Sequence, residues 1–207
     1  LDDKNIDVLF CAPPNHWHAP ATILACSAGK HVYVEKPACH NPREGELAVQ
    51  AARKNNRVVQ LGTQRRSFPA LIEAIEKIRA GEIGPVHYSR VWYNNNRPSI
   101  GRGKPAAPPS WLNWELWQGP APERGYSDVL CPKGIHNHFP AWRNYQEYAG
   151  GQLADMGAHH FDIAQWALGM DGTGPVKIEP PEKGGTGLKF TYANSVEMIH
   201  GGETDCV

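Results

Sequence analysis

Two stretches of this sequence carry residue types that could do chemistry. In the first, Val32-Tyr33-Val34 runs directly into Glu35-Lys36-Pro37, adjacent opposite charges closed by a proline. In the second, Gly150-Gly151 precedes Asp155, His159 and Asp162. At about 100° per residue on a helix, Asp155, His159, Asp162 and Trp166 fall within roughly 60° of one another. Leu153, Met156, Ile163, Ala164, Ala167 and Leu168 spread over the opposite arc and suffice for packing. A carboxylate, an imidazole and a second carboxylate therefore line a stripe that the core does not need. An Asp at i can hydrogen-bond a His at i+4, fixing its tautomer and raising its basicity, as a general base requires. The bland alternative for each stretch is a solvated face with an incidental ion pair.

The first third alternates strand and helix patterns. Asp7 to Ala12 is a short apolar run of the kind buried on both faces of a sheet, ended by Pro13-Pro14-Asn15. Trp17 to Ala28 reads as a helix and His31 to Val34 as the next strand. Asn41-Pro42-Arg43-Glu44 is a helix start, with Asn as N-cap, Pro at the first position and Glu reaching back in a capping box. That helix runs to about Asn55, and Arg57 to Leu61 is a third strand. Ser67 is the expected cap of a further helix carrying Leu71, Ile72, Ile75 and Ile78. This alternation implies right-handed crossovers and a parallel sheet, whose ligands sit beyond the carboxyl ends of the strands. Each strand places its unusual residues there: Pro13 to His18, Glu35-Lys36-Pro37, and Thr63-Gln64-Arg65-Arg66.

The second part changes character. Val86 to Tyr93 alternates as a strand, and Asn94 to about Ala149 is long and irregular, with five of the seven tryptophans in or beside it. Disordered segments are poor in aromatics, so this stretch is expected to be ordered and packed. Gln152 to Leu168 reads as one helix. Val176 to Glu179, Leu188 to Tyr192 and Val196 to His200 read as antiparallel strands, with a turn at Ala193-Asn194.

Composition sets bounds. Lys plus Arg (21) equals Asp plus Glu (21) over 207 residues, and without a basic stripe neither nucleic acid nor an anionic membrane is an expected partner. No apolar run approaches the roughly 20 residues of a membrane span. Five cysteines without paired spacing fit free thiols in a reducing compartment, so a cytoplasmic location is expected.

Taken in order, Ala12-Pro13-Pro14-Asn15-His16-Trp17-His18, Glu35-Lys36-Pro37 and Gly150-Gly151-x3-Asp155-x-Gly157-x-His159-x-x-Asp162 resemble the Gfo/Idh/MocA family. That name joins glucose–fructose oxidoreductase, inositol dehydrogenase and rhizopine catabolism. The resemblance covers roughly residues 5–200. It implies an α/β fold: the C-terminal part of a Rossmann-type parallel sheet (1–83), then an α/β domain with an open, mostly antiparallel sheet (84–207). It implies an oxidoreductase moving hydride between NAD or NADP and a hydroxyl carbon of a sugar or cyclitol. Carried over residue by residue, Lys36 matches the catalytic lysine, Glu35 a residue near the nicotinamide ribose, and Pro37 a cis Lys–Pro bond. Pro13, Asn15 and His18 match the cofactor-lining loop, and Gln64 the polar group after the next strand. Asp155 and His159 match the Asp/His pair with His159 as proton acceptor, both His159 and Lys36 facing the substrate, and Asp162 a substrate-binding carboxylate. No resident metal is implied, and the full-length protein is expected to be a homo-oligomer.

The Gly-x-Gly-x-x-Gly turn and the acidic residue that follows it in such domains are not in this sequence. The expectation is that the chain begins partway through the Rossmann domain, also stops short at its C-terminus, and is inactive by itself. Three rivals stand beside this reading. A metal-dependent hydrolase would use His16-x-His18, Cys131 with His136-x-His138, or Asp155 with His159, but zinc needs three or four convergent ligands. An NAD-dependent glycoside hydrolase of the same fold is a second, against which Lys36 argues. A non-catalytic nicotinamide-sensing protein is a third, against which Lys36, Asp155 and His159 together argue.

Overall fold

The computed structural model describes residues 1–92, 102–131, 141–181 and 187–201. In chain order the elements are β1 (Val8–Cys11), α1 (His18–Ser27), β2 (His31–Glu35), α2 (Pro42–Lys54), β3 (Val59–Gly62), α3 (Pro69–Arg79) and β4 (Tyr88–Val91). They continue with α4 (Trp114–Gln118), α5 (Gly151–Asp155), α6 (Gly157–Ala167), β5 (Lys177–Glu179), β6 (Leu188–Thr191) and β7 (Glu197–His200). Contacts divide the chain into two compact units, one of Leu1–Gly62 with Asn96–Asp155, the other of Thr63–Asn95 with Met156–Val207. Each unit draws on two separate stretches, whereas the expected boundary after residue 83 cuts the chain once.

In the first unit β1, β2 and β3 form a parallel sheet in that order. Cys11, Val32 and Val34 pack with Ala25 and Cys26 of α1, flanked by Leu9, Val59, Leu61 and the Ala51 and Ala52 of α2. Among the described residues, only that face is covered. Phe10 is 76% exposed and stacks on Tyr33 across the sheet, which corrects the expectation of a strand buried on both sides. A continuous apolar run is compatible with either arrangement, and the crossover helices α1 and α2 cover one face. The start of α2 follows its sequence signal: Asn41 Oδ1 accepts from the Glu44 amide at 3.0 Å. The returning Glu44 carboxylate reaches one residue further back than a capping box requires, to the His40 amide at 2.8 Å.

The described part of the irregular stretch is packed, as its aromatics led one to expect. Leu130, Trp142, Tyr148 and Ala149 form a buried cluster with Trp114 and Trp117 against it. Trp114 and Trp117 stack at 4.9 Å, and Trp117 meets Tyr148 edge-on. The loop after β1 joins this cluster: Trp17 Nε1 donates to the carbonyls of Leu116 and Trp117, and His16 Nε2 lies 3.1 Å from the latter. Gly119, with φ at 49°, lies under Trp17, where a Cβ would come within 2.1 Å of the indole.

The second unit holds a four-stranded sheet in the order β4-β7-β6-β5, with β4 parallel to β7 and the other pairs antiparallel. Val91, Tyr192 and Met198 of the sheet pack with Ala164 of α6, flanked by Phe161, Leu168 and Phe190. Two local expectations are corrected. Helix α3 starts at Pro69 behind Phe68, with no side-chain cap, and Ser67 instead closes a short 3₁₀ turn. Proline needs no amide partner at a first helical position and disfavours helical geometry in the residue before it. The helix expected over 152–168 is two helices, α5 and α6, separated at Met156. Met156 itself keeps helical dihedrals, and the His159 amide donates to Met156 O at 3.2 Å, a three-residue step.

Candidate active site

The strand β2 ends on Glu35, whose partner in register is Gly62 at the end of β3. A Cβ on Gly62 would lie 3.0 Å from Glu35 Oε1, so a glycine leaves the carboxylate its place. The next peptide, Lys36–Pro37, is cis, the isomer that the resemblance implies. Lys36 Nζ donates to Asp155 Oδ1 at 2.7 Å and to the Asp155 main-chain oxygen at 2.8 Å. The two side chains are only 15% and 13% exposed. Asp155 Oδ2 pairs with Arg143 Nε at 3.3 Å, and the Arg143 guanidinium lies 4.2 Å from the centre of the Trp142 ring. One carboxylate is thus held between two cations. An ammonium has three N–H donors, and Asp155 engages two of those on Lys36.

Arg143 was not singled out by the sequence. It sits in the irregular stretch, outside any motif, and its one signal was the adjoining Trp142. Asp155 was singled out for a different relationship, the orientation of His159 along a single helix. To that expectation the structure adds Lys36 and Arg143 as ion-pair partners of the Asp155 carboxylate.

The loop after β1 is tightly built. Asn15 is 5% exposed, and its Nδ2 is buried without a hydrogen-bond partner among the described residues. His18 is 2% exposed, with Nδ1 2.6 Å from Pro37 O and Nε2 2.9 Å from Pro13 O. The ends of β1 and β2 therefore meet through one imidazole. Burial pushes His16 below the ordinary imidazole value, opposed by main-chain bonds to its ring. Burial also pushes the Cys11 thiol up to about 11, as expected of an inert core thiol.

In the second unit, Gln64 opens the 3₁₀ turn that follows β3. Arg66 in the same turn donates Nε to both oxygens of Asp162 at 2.9 Å and Nη2 to Asp171 at 2.8 Å, with its guanidinium over the Trp166 ring. The hydrogen bond from Arg66 holds Asp171 below the usual carboxylate range, and Asp162 with Asp171 raises Arg66 further. His159 and Asp162 both lie on α6, and next to them burial, then Arg65, His159 and His200, hold His160 below its ordinary value. Asp162 keeps lone pairs beyond those given to Arg66.

Among the described residues, no group of three His, Cys, Asp or Glu side chains is arranged to hold a metal ion; His136 and His138 lie outside them. Nor is any described helix long and apolar enough to cross a membrane.

Residues 90–204 match the C-terminal α/β domain of an oxidoreductase family, and residues 1–63 match its NAD-binding Rossmann-fold domain. The chain belongs to the Gfo/Idh/MocA family. It is 33% identical over 170 residues to levoglucosan dehydrogenase of Pseudarthrobacter phenanthrenivorans, covering 82% of this chain and 35% of that one. It is 25% identical over 172 residues to scyllo-inositol 2-dehydrogenase (NAD(+)) of Bacillus subtilis, covering 83% and 38%. Among solved structures, the aldose–aldose oxidoreductase of Caulobacter crescentus, complexed with glycerol, shares the fold with a TM-score of 0.66 at 23% identity, over 96% of this chain and 51% of that one. The chain thus spans little more than a third of the curated relatives' length. The Rossmann-type parallel sheet and the mostly antiparallel second sheet are the fold of the family, and its cofactor class is NAD or NADP. The strand-end loops suit such a group chemically: a buried, unpartnered Asn15 amide nitrogen can donate to a hydroxyl or phosphate oxygen, and Lys36 and Glu35 follow on the neighbouring strand.

Proposed function

We propose that the protein is an NAD(P)-dependent dehydrogenase acting on a secondary hydroxyl of a sugar or cyclitol. The observation that carries this reading is the Lys36–Asp155 pair at the carboxyl end of β2. Levoglucosan and scyllo-inositol dehydrogenases among the relatives supply the substrate class. In this reading the N–H of Lys36 not engaged by Asp155 donates to the substrate hydroxyl, and the ammonium steadies the alkoxide as the proton leaves. Asp155, shared with Arg143, fixes the direction of that ammonium. His159 accepts the hydroxyl proton, and Asp162 binds a further hydroxyl. Pro13, Asn15, Glu35 and Gln64 line the cofactor, within a nucleotide-binding domain ending near residue 83. Bound there, an oxidised nicotinamide would supply the hydride acceptor for the carbinol carbon. The protein works in the cytoplasm as a homo-oligomer.

The test, made on the full-length protein, is calorimetric titration with NAD(H) and NADP(H), followed by reduced-cofactor absorbance against a panel of sugars and cyclitols. At least one cofactor should bind. Lys36→Met should leave its dissociation constant within about threefold while raising the turnover barrier by roughly 2.7–4 kcal/mol, the worth of a lost electrostatic stabiliser. Failure to bind either nucleotide would remove the proposal, and lost binding with intact turnover at saturation would remove Lys36 from the chemistry.

A further inference from the structure

His18 has an environment that a residue lining a ligand does not need. Its ring is buried to 2% exposure, and each nitrogen faces a main-chain oxygen, Pro37 O at 2.6 Å and Pro13 O at 2.9 Å. Those oxygens belong to the segments leaving β2 and β1, and Pro37 directly follows Lys36. The backbone of His18 is fixed as well. It begins α1, its carbonyl accepts from Thr22 Oγ1 at 2.8 Å, and its neighbour Trp17 is bonded to the carbonyls of Leu116 and Trp117. A ring held so firmly can in turn hold what it touches.

We infer that His18 is a positioning residue: it ties the Lys36–Pro37 segment to the loop after β1 and so fixes where the Lys36 ammonium stands. The physical argument is one of constraint. Lys36 is a flexible side chain with several rotatable bonds, and its direction is set at the far end by Asp155. At the near end its backbone lies beyond the last residue of β2, outside the sheet's ladder. The bond to Pro37 O supplies the restraint that the ladder no longer gives. A neutral imidazole donates through one nitrogen only, so one of the two carbonyls accepts a hydrogen bond and the other is a contact. The shorter contact is the one to Pro37. Removing the ring would take the donor from a part-buried carbonyl, which loosens the loop as well as emptying space.

The inference rests on the proposed dehydrogenase chemistry only for its effect on turnover, and one readout is independent of it. Reductive methylation of lysines, followed by mass spectrometry, compares Lys36 with the exposed Lys54. In the wild-type protein the Lys36 amine, 15% exposed and paired, should react slowly. His18→Phe keeps a ring in the space but makes neither bond, so the gap between the two lysines should narrow several-fold. Turnover at saturating substrate and cofactor should fall about 10²-fold, the usual cost of a displacement near 1 Å, while the cofactor dissociation constant stays within about threefold. His18→Gln, which can donate to one carbonyl again, should recover part of both losses, which a simple packing role would not predict. A protein without nicotinamide-linked turnover would defeat the functional reading, yet the labelling contrast would still decide the role of His18. Unchanged Lys36 labelling in a folded His18→Phe or His18→Gln variant overturns the inference. If neither variant folds, nitrogen NMR of the wild-type imidazole decides: a ring proton protected from exchange supports the tie, and one exchanging as in a free peptide overturns it.

Discussion

Asp155→Asn is the most informative single change, because the structure gives this carboxylate two cations to hold. Lys36 approaches Oδ1 at 2.7 Å and Arg143 approaches Oδ2 at 3.3 Å. Asparagine has nearly the same shape and can still accept one hydrogen bond from Lys36. What it lacks is charge, so the variant leaves an ammonium and a guanidinium facing the same neutral amide. Opposite unit charges in contact gain about 4 kcal/mol at an effective dielectric of 20, but desolvation has already consumed part of that. Removing one partner of a fully buried pair costs roughly 3–5 kcal/mol, and exposed pairs contribute about 0–1 kcal/mol. At 15% and 13% exposure the pair lies nearer the buried limit, and a loss of about 2–3 kcal/mol is expected. Lys36→Met should cost less, about 1 kcal/mol, because Asp155 retains Arg143.

The assay is denaturant unfolding of the wild type, both single variants and the double variant Lys36→Met/Asp155→Asn. If the contact exists in solution, the double variant should be more stable than the sum of the single losses predicts, with a coupling of about 1–3 kcal/mol. Additivity within about 0.5 kcal/mol, the limit typical of independent sites, would refute the pairing and with it the account of how Lys36 is held.

Other expectations are simpler. His159→Ala should lower turnover about 10²–10⁴-fold at neutral pH, the worth of a positioned acid–base group; near-normal turnover would return His159 to a solvated helix face. Gly119→Ala should destabilise by more than about 2 kcal/mol, since overpacking alone costs roughly 1–3 kcal/mol and here a Cβ would sit 2.1 Å from the Trp17 ring at a φ of 49°; unchanged denaturation would show that this packing is absent. Burial holds His16, His160 and His200 below the ordinary imidazole value of 6.5. The folded state therefore keeps them neutral where the unfolded chain takes up protons. Their contribution is complete above about pH 6.5 and is lost as pH falls through the lower folded values. A melting temperature that stays level from about pH 7.5 to 5 would contradict that sign.

How much of this was legible depended on how local the cause was. The start of α2 was readable because Asn41, Pro42 and Glu44 act on backbone groups within three or four residues. The order of strand and helix in the first unit was readable for the same reason, and the strand ends marked Lys36 before any fold was seen. Burial of β1 was not, because Leu9 and Phe10 are equally apolar while only Leu9 packs in the core. The cap of α3 was misread because Ser67 is a good cap in isolation, and Pro69 two residues later moved the start.

Asp155 shows how far periodicity reaches. Counting about 100° per residue relates a residue only to neighbours within a turn or two of the same helix. The sequence pattern contained the right carboxylate, and the structure adds two cations that no helical count could supply. Its partners lie 119 and 12 residues away in the chain, distances over which spacing carries no information. Taking an ammonium out of water is costly unless a counter-charge faces it, and Asp155 meets that requirement without blocking the third donor of Lys36. The two halves of the motif, so far apart in sequence, are then one electrostatic unit rather than two neighbouring functions.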